Sequence, residues 1–567
     1  MVTEMLSKAL REVLTSAGIT AEVVSVVRTQ VSSHGDFASN VAMVYAKNIG
    51  RNPVEFATTL VQELEKKQLS FIKKIEVAPP GFINFFLEDT YFIKKIDEIL
   101  KHEKEYGSNA LKKDKKILIE YTDPNPFKPF HIGHLMTNAI GESLARILSF
   151  SGATVIRANY QGDIGPHVAK ALYGLLHTPP DKTLSVEAQA QFIGECYAYG
   201  SQSYENDAKA KLEIEAINKS LYEKSNQELQ ELYLWGREVT LEAFETIYNI
   251  LGTAFDVYYF ESEMAPKGSA IVRANIGTVF TESEGALVFH AEEINPKLHT
   301  RVFINSHGLP TYEAKELGLT KTKFDTINPD ISITVTANEQ MEYMRVVTEA
   351  LRVLYPDIAS RMVHISHGMM RFASGKMSSR KGNVVTGVAL LEQMREYVRE
   401  KIKDSSELIS QASLVDAVAV SAIKYSIIRQ ALGHDIIFDF ETSVSFEGDS
   451  GPYIQYTYAR TASILAKAGE VGIEPSVENK IITTGDLERQ LDRFPDVVRL
   501  ASIEHAPHHI ATYLIELSRA FNAYYAETRI VEKDNDESSY RIALTKACNT
   551  VLAQGLYLLG IKAPEKM

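Results

Sequence analysis

Two short stretches carry residues whose types and spacing could act on phosphate. The first is His131-Ile132-Gly133-His134. It follows an apolar run, ILIEY from Ile117, and opens a segment with helical spacing. A helix N-terminus presents unpaired N–H groups and partial positive charge, so it attracts phosphate. Gly133 removes a side chain where a flat base could lie on the backbone. Two imidazoles one helical turn apart can point at one phosphoryl group. The same His-x-x-His spacing also fits a core pair or a metal site, but a metal site lacks an obvious third ligand nearby, His167 being the one to consider. The second stretch is Lys376-Met377-Ser378-Ser379-Arg380-Lys381-Gly382-Asn383, which by itself also reads as a basic surface loop. A loop carrying these cations could clamp a triphosphate against the helix start.

Both stretches need a scaffold that brings them to one place. Between them, strand-like and helix-like segments alternate. ILIEY is followed by TDPNPFKPF, whose three prolines exclude helix, and then by HLMTNAIGESLARILSFSG, with Gly152 as its stop. ATVIRANY, RVFINS, ISITVTA and MVHISHG are further strand candidates. This alternation predicts an α/β fold, a doubly wound parallel sheet of Rossmann type, with ligands at the carboxyl ends of its strands. A charged helical stretch, QSYENDAKAKLEIEAINKSLYEK, interrupts it. The expected division is an N-terminal α+β additional domain over 1–110, a catalytic domain over 111–384 with a helical insertion at about 181–310, and an all-α domain over 385–567. The first unit opens with an amphipathic helix pattern around Leu6 and Leu14 and later turns at Pro80–Gly81 into a strand-like run.

Composition narrows the function classes. The chain has 567 residues, 45% hydrophobic and 23% charged, which excludes a largely disordered or fibrous protein. No apolar run approaches the roughly 18–20 residues of a membrane span, and the start MVTEMLSKALREVL has no signal-peptide pattern. Two cysteines, Cys196 and Cys548, cannot build a disulfide framework or a four-thiolate zinc site. A reducing, cytoplasmic setting and no membrane partner are expected. The net charge of −13 argues against a general nucleic-acid coat protein. The charge is uneven: residues 1–110 carry 13 basic and 14 acidic groups, and residues 451–567 carry 13 and 15. The excess negative charge lies in the middle, so a polyanion meets less repulsion at the two ends.

The HIGH tetrapeptide followed by a KMSKS-like loop resembles the class I aminoacyl-tRNA synthetases. Other stretches resemble the arginyl-tRNA synthetase family in particular. GDFASNVAM (Gly35 to Met43) and APPGFINFFL (Ala78 to Leu87) are similar to its N-terminal additional domain, and EYTDPNPFKPFHIGH to its ATP and arginine site. FDVYYFES, GPYIQYTYAR, AFNAYYAETRIV and the terminal LGIKAPEKM extend the likeness over nearly the whole chain.

The resemblance implies a two-step ligase. Arginine attacks the α-phosphate of ATP, giving arginyl-adenylate and pyrophosphate, and the 3′ end of tRNA(Arg) then takes the arginyl group. His131, Gly133, His134, Lys376, Met377 and Ser378 are the implied ATP site, with His131, His134, Lys376, Arg380 and Lys381 acting on the phosphates. Magnesium is expected with ATP as substrate, with no structural metal. The implied arginine site is Glu120, Asn125, Tyr312, Glu316, Gln340 and Glu261, since a guanidinium needs planar, anionic partners. A monomer is expected. Two positions depart from the family pattern: Ser379 stands where the loop has its second lysine, and Glu316 stands where Tyr-x-x-x-Asp has its aspartate. Asp163, in Asn159-Tyr160-Gln161-Gly162-Asp163-Ile164-Gly165, could fix its loop or a substrate amino group. Tyrosines 453, 456 and 458 fit either core packing or base stacking.

Two other readings compete. The class I lysyl enzyme has a similar lysine loop, but the scarcity of cysteine and the GDFASN and PEKM segments favour arginine. A non-catalytic synthetase-like protein would show damage to one of the two motifs, and both are intact.

Overall fold

The computed structural model describes residues 2–29, 31–373, 386–402, 412–478 and 482–567. The chain divides into two units. One comprises Met1–Tyr106, Ile464–Phe494 and Arg519–Val551. Its antiparallel sheet runs Val27–Arg28, Phe37–Ser39, Phe82–Leu87, Ile72–Ala78 in spatial order. The opening helix Val2–Ser16 buries Leu6, Leu10 and Leu14, as its apolar spacing requires. The expected turn joins Ile72–Ala78 to Phe82–Leu87. Ion pairs Arg28–Asp492 and Arg489–Asp36, each 2.8 Å, tie the sheet to a helix far along the chain. Tyr91 Oη also donates to Asp492, at 2.8 Å.

The other unit comprises Gly107–Ser463, Pro495–Ser518 and Leu552–Met567. At its centre is a five-stranded parallel sheet in the order Met362–His367, Ile331–Ala337, Lys116–Glu120, Thr154–Gln161, Val257–Phe260. Ile117, Leu118 and Ile119 are fully buried; each such side chain contributes about 1.5–3 kcal/mol. The chain leaves Lys116–Glu120 toward one edge and later returns on its other side. The switch point therefore lies beside Glu120, where doubly wound sheets bind ligands. The helix Ile132–Phe150 follows the proline-rich loop and ends before Gly152.

Two strand assignments change. RVFINS is not in the parallel sheet. Arg301–Ile304 pairs antiparallel with Ala286–Phe289, which pairs with Thr281–Ser283. Phe280, Phe289 and Phe303 pack together there, so this small sheet has its own apolar contact. The edge strand of the parallel sheet is Val257–Phe260, inside FDVYYFES, a run too short to register by periodicity. It comes after three helices, Val186–Asn206, Ala208–Glu223 and Gln227–Leu251. Past residue 385 the described elements are helices, apart from Ile436–Phe438, which pairs with Met370–Phe372. Tyr453, Tyr456 and Tyr458 are all half-buried, and the Arg460 guanidinium lies over the Tyr456 ring.

Candidate active site

The HIGH segment forms the first turn of the helix that follows the central strand. His131 is its N-cap, in extended backbone, and the helix begins at Ile132. The two imidazoles stack, with ring centroids 3.5 Å apart. A Cβ on Gly133 would lie 2.9 Å from His131 Cε1, so only glycine leaves His131 in this position. The backbone N–H of His131 donates to His134 Nδ1 at 3.3 Å. That acceptor role puts the His134 proton on Nε2, leaving one N–H free to donate elsewhere. Burial, helped by the charge of Lys128, pushes the His131 imidazole down to about 4. Burial also pushes His134 well below its ordinary value. Both rings are therefore neutral donors at physiological pH.

Lys376, Met377, Ser378, Arg380 and Lys381 lie outside the described residues. The chain that follows them does return to the HIGH motif. Thr386 bridges to His131, and Gly387 N–H donates to the Phe130 carbonyl at 2.7 Å.

The implied arginine residues divide into two groups. Glu120, Glu261 and Glu316 are all buried and share one electrostatic neighbourhood with Tyr160 and Tyr343. Two of these carboxylates are already paired. Lys323 Nζ meets Glu120 Oε2 at 2.6 Å, and Lys315 Nζ meets Glu261 Oε2 at 2.6 Å. Glu316 differs. Its Oε2 accepts a long hydrogen bond from Tyr343 Oη, 3.5 Å, and its Oε1 is buried without a partner. Burial raises its carboxyl to about 7, with Lys323 opposing and Glu120 and Glu261 adding to the rise. The Tyr160 hydroxyl is also buried without a partner. Such orphaned groups cost about 1–3 kcal/mol each, and a guanidinium would supply the missing donors for Glu316.

The remaining three lie around this cluster. Tyr312, one turn before Glu316, is 56% exposed. Gln340 is exposed and precedes the helix Met341–Leu354, which carries Tyr343. Asn125 borders Gly162: a Cβ there would sit 2.2 Å from Asn125 Oδ1 and 3.3 Å from Glu261 Oε1. Gly162→Ala should therefore push Asn125 aside at a cost of about 1–3 kcal/mol. The expected result is a raised KM for the amino acid with little change in KM for ATP, read from steady-state charging alongside a thermal melt.

Several residues were not anticipated from the sequence. Lys315, Lys323, Tyr160 and Tyr343 belong to the carboxylate cluster, and the charge of Lys128 reaches His131, His134 and Glu261. Lys323 left a signal. It lies two turns after Glu316 on a helix whose Leu319, Thr320 and Phe324 are buried, and a lysine among such residues needs an anion. Asp163 fixes the surrounding chain. It accepts from Tyr233 Oη (3.0 Å), Arg237 Nε (2.9 Å), and both Ser262 N and Oγ (2.8 Å each), beside Glu261. His167 Nε2 is engaged with the Gly162 carbonyl at 2.7 Å.

A parallel sheet whose central strand leads into a HIGH helix, next to a buried carboxylate cluster, defines a class I aminoacyl-tRNA synthetase catalytic domain. The family model for tRNA synthetases class I (R), catalytic domain, matches residues 95–440. Models for the arginyl tRNA synthetase N terminal domain and the DALR anticodon binding domain match 2–87 and 454–567. The chain is 31% identical to the arginine–tRNA ligase of Clostridium perfringens over 94% of each chain. It is 30% identical to that of Pediococcus pentosaceus over 100% of this chain and 99% of the other. The arginyl-tRNA synthetase structure from Thermus thermophilus superposes with a TM-score of 0.81 at 26% identity, covering all of both chains. The chain belongs to the arginyl-tRNA synthetase family and is, by that membership, an aminoacyl-tRNA ligase of the arginine type.

Proposed function

We propose that this chain activates arginine with ATP at the His131–His134 helix start and holds the guanidinium on Glu316, before transfer to tRNA(Arg). The observation that carries the reading is Glu316 itself: a buried carboxylate with an unpartnered oxygen, beside two carboxylates already neutralised by lysine. A pocket with one open anion fits a monocationic, forked side chain. The phosphates of ATP meet the first-turn N–H groups and His134 Nε2–H, and Lys376, Arg380 and Lys381 are the cations that would close over them. Donors at the helix start are imidazoles, backbone N–H groups and a nearby lysine, which suit phosphate oxygens rather than a cation. Magnesium would ride on the ATP phosphates and neutralise charge there.

Residues 1–110 and 385–567 are the proposed tRNA-contacting domains, flanking the catalytic residues 111–384. The enzyme is proposed to work as a cytoplasmic monomer; none of the described helices is long and apolar enough to cross a membrane. The direct test is aminoacylation of total tRNA with each of the twenty amino acids in turn. Arginine alone should be charged; charging of lysine instead would overturn the reading.

ATP–pyrophosphate exchange with arginine should be negligible until tRNA is added, because tRNA contacts shift the population toward a competent central site. Robust exchange without RNA would count against it. Charging should also weaken with salt, as cations at phosphate contacts release counterions.

A further inference from the structure

We propose that Lys323 is a positioning residue for arginine selectivity: locked onto Glu120 on the helix face it shares with Glu316, it favours the charged form of Glu316, so the pocket presents an anion to the guanidinium. This rests on the assignment of Glu316 as the guanidinium partner and adds the group that sets its charge.

Three observations support it. Lys323 and Glu120 are each 2% exposed and meet at 2.6 Å, so neither is a surface group that happens to pair. Lys323 stands two turns after Glu316 on the helix Tyr312–Thr326, hence on the same face. Glu316 is surrounded largely by groups that oppose its ionisation. Glu120 comes from the central strand, Glu261 from the helix Glu261–Ala274 and Asp123 from the loop after the strand; the Tyr160 hydroxyl from the neighbouring strand is uncharged, and the Tyr343 hydroxyl favours the charged form by donating to Oε2. Lys315, on Glu316's own helix, is held by Glu261. Lys323 is the cation that favours the charged form of Glu316, where Glu120 and Glu261 oppose it. Without it, burial and the carboxylates of Glu120 and Glu261 would favour the protonated form of Glu316, and a neutral acid is a poor partner for a guanidinium.

The roles of Glu120 and Lys323 differ in sign, which makes the proposal testable apart from stability. The measurement is kcat/KM for arginine in tRNA charging between pH 6 and 9, since this ratio reports the free enzyme. The wild type should lose efficiency as pH falls through about 7, the value to which Glu316 is raised. Lys323→Gln should move that acid limb to higher pH by about one unit, an almost tenfold further loss at pH 6.5. Glu120→Gln should move it to lower pH, and Lys323→Arg should restore the wild-type position. If Lys323→Gln folds poorly, the double variant Glu120→Gln/Lys323→Gln replaces the ion pair with two amides; its limb should still lie above that of Glu120→Gln alone.

A purely structural role would lower thermal stability and kcat in all variants without moving the limb in opposite directions, and that result would overturn the proposal. Glu316→Gln separates the two levels. If it leaves KM for arginine and the limb unchanged, the assignment of Glu316 fails. If it abolishes the limb while Lys323→Gln leaves it in place, the assignment stands and the role of Lys323 fails.

Discussion

His134→Ala should lower the turnover of aminoacylation by about 10²–10³, equivalent to roughly 3–4 kcal/mol of transition-state stabilisation. His134 is 6% exposed, and its Nδ1 is occupied by the His131 N–H. Its remaining N–H is then a donor at the helix start, which under the proposed function meets the charge that develops as the α-phosphate is attacked. Because burial keeps the ring neutral, it acts by hydrogen bonding and not by protonation, so its contribution should be flat across pH 6–9. His134→Gln retains a donor and should recover part of the rate. The variant also loses the stacking partner of His131, so its melting temperature needs to be recorded; a small change is expected. Turnover close to wild type would remove His134 from the phosphate chemistry.

Glu316→Gln should raise the Michaelis constant for arginine about 10²-fold. Charge-assisted hydrogen bonds contribute about 1.5–3 kcal/mol each, and a bidentate guanidinium makes two of them. The glutamine keeps shape and one acceptor but loses the charge. Citrulline, close to arginine in shape but neutral, should be rejected by the wild type by a similar factor. The same difference should shrink in Glu316→Gln, since no carboxylate is then left seeking a cation. Lysine lacks the planar fork and should fail with both proteins. Should Glu316→Gln leave the arginine constant unchanged, Glu261, freed from Lys315, becomes the next candidate for the guanidinium.

How much of this was legible beforehand follows from the range over which each signal acts. The opening helix around Leu6 and Leu14, the buried strand at Ile117–Ile119 and the HIGH helix with its stop before Gly152 all came from local periodicity and breaker residues. Such patterns are written within one element, so a single sequence carries them. Motif order along the chain is enough to indicate the family, whose models match residues 2–87, 95–440 and 454–567.

Tertiary structure decided what depends on distant partners. The segment Arg301–Ile304 reads as a core strand, but its apolar face is satisfied by Phe280 and Phe289 in a separate antiparallel sheet, and the short Val257–Phe260 takes the sheet edge instead. Segments near the two chain ends share one unit through ion pairs such as Arg28–Asp492, which no local pattern encodes. The clearest case is the pocket. Glu120, Glu261 and Glu316 are alike as letters, the first ending a strand, the second opening a helix and the third one turn inside another. Only the fold brings Lys323 to the first and Lys315 to the second, leaving the third with an open oxygen. Burial makes that difference large, because a carboxylate taken out of water must find a cation, give up its charge or await a ligand.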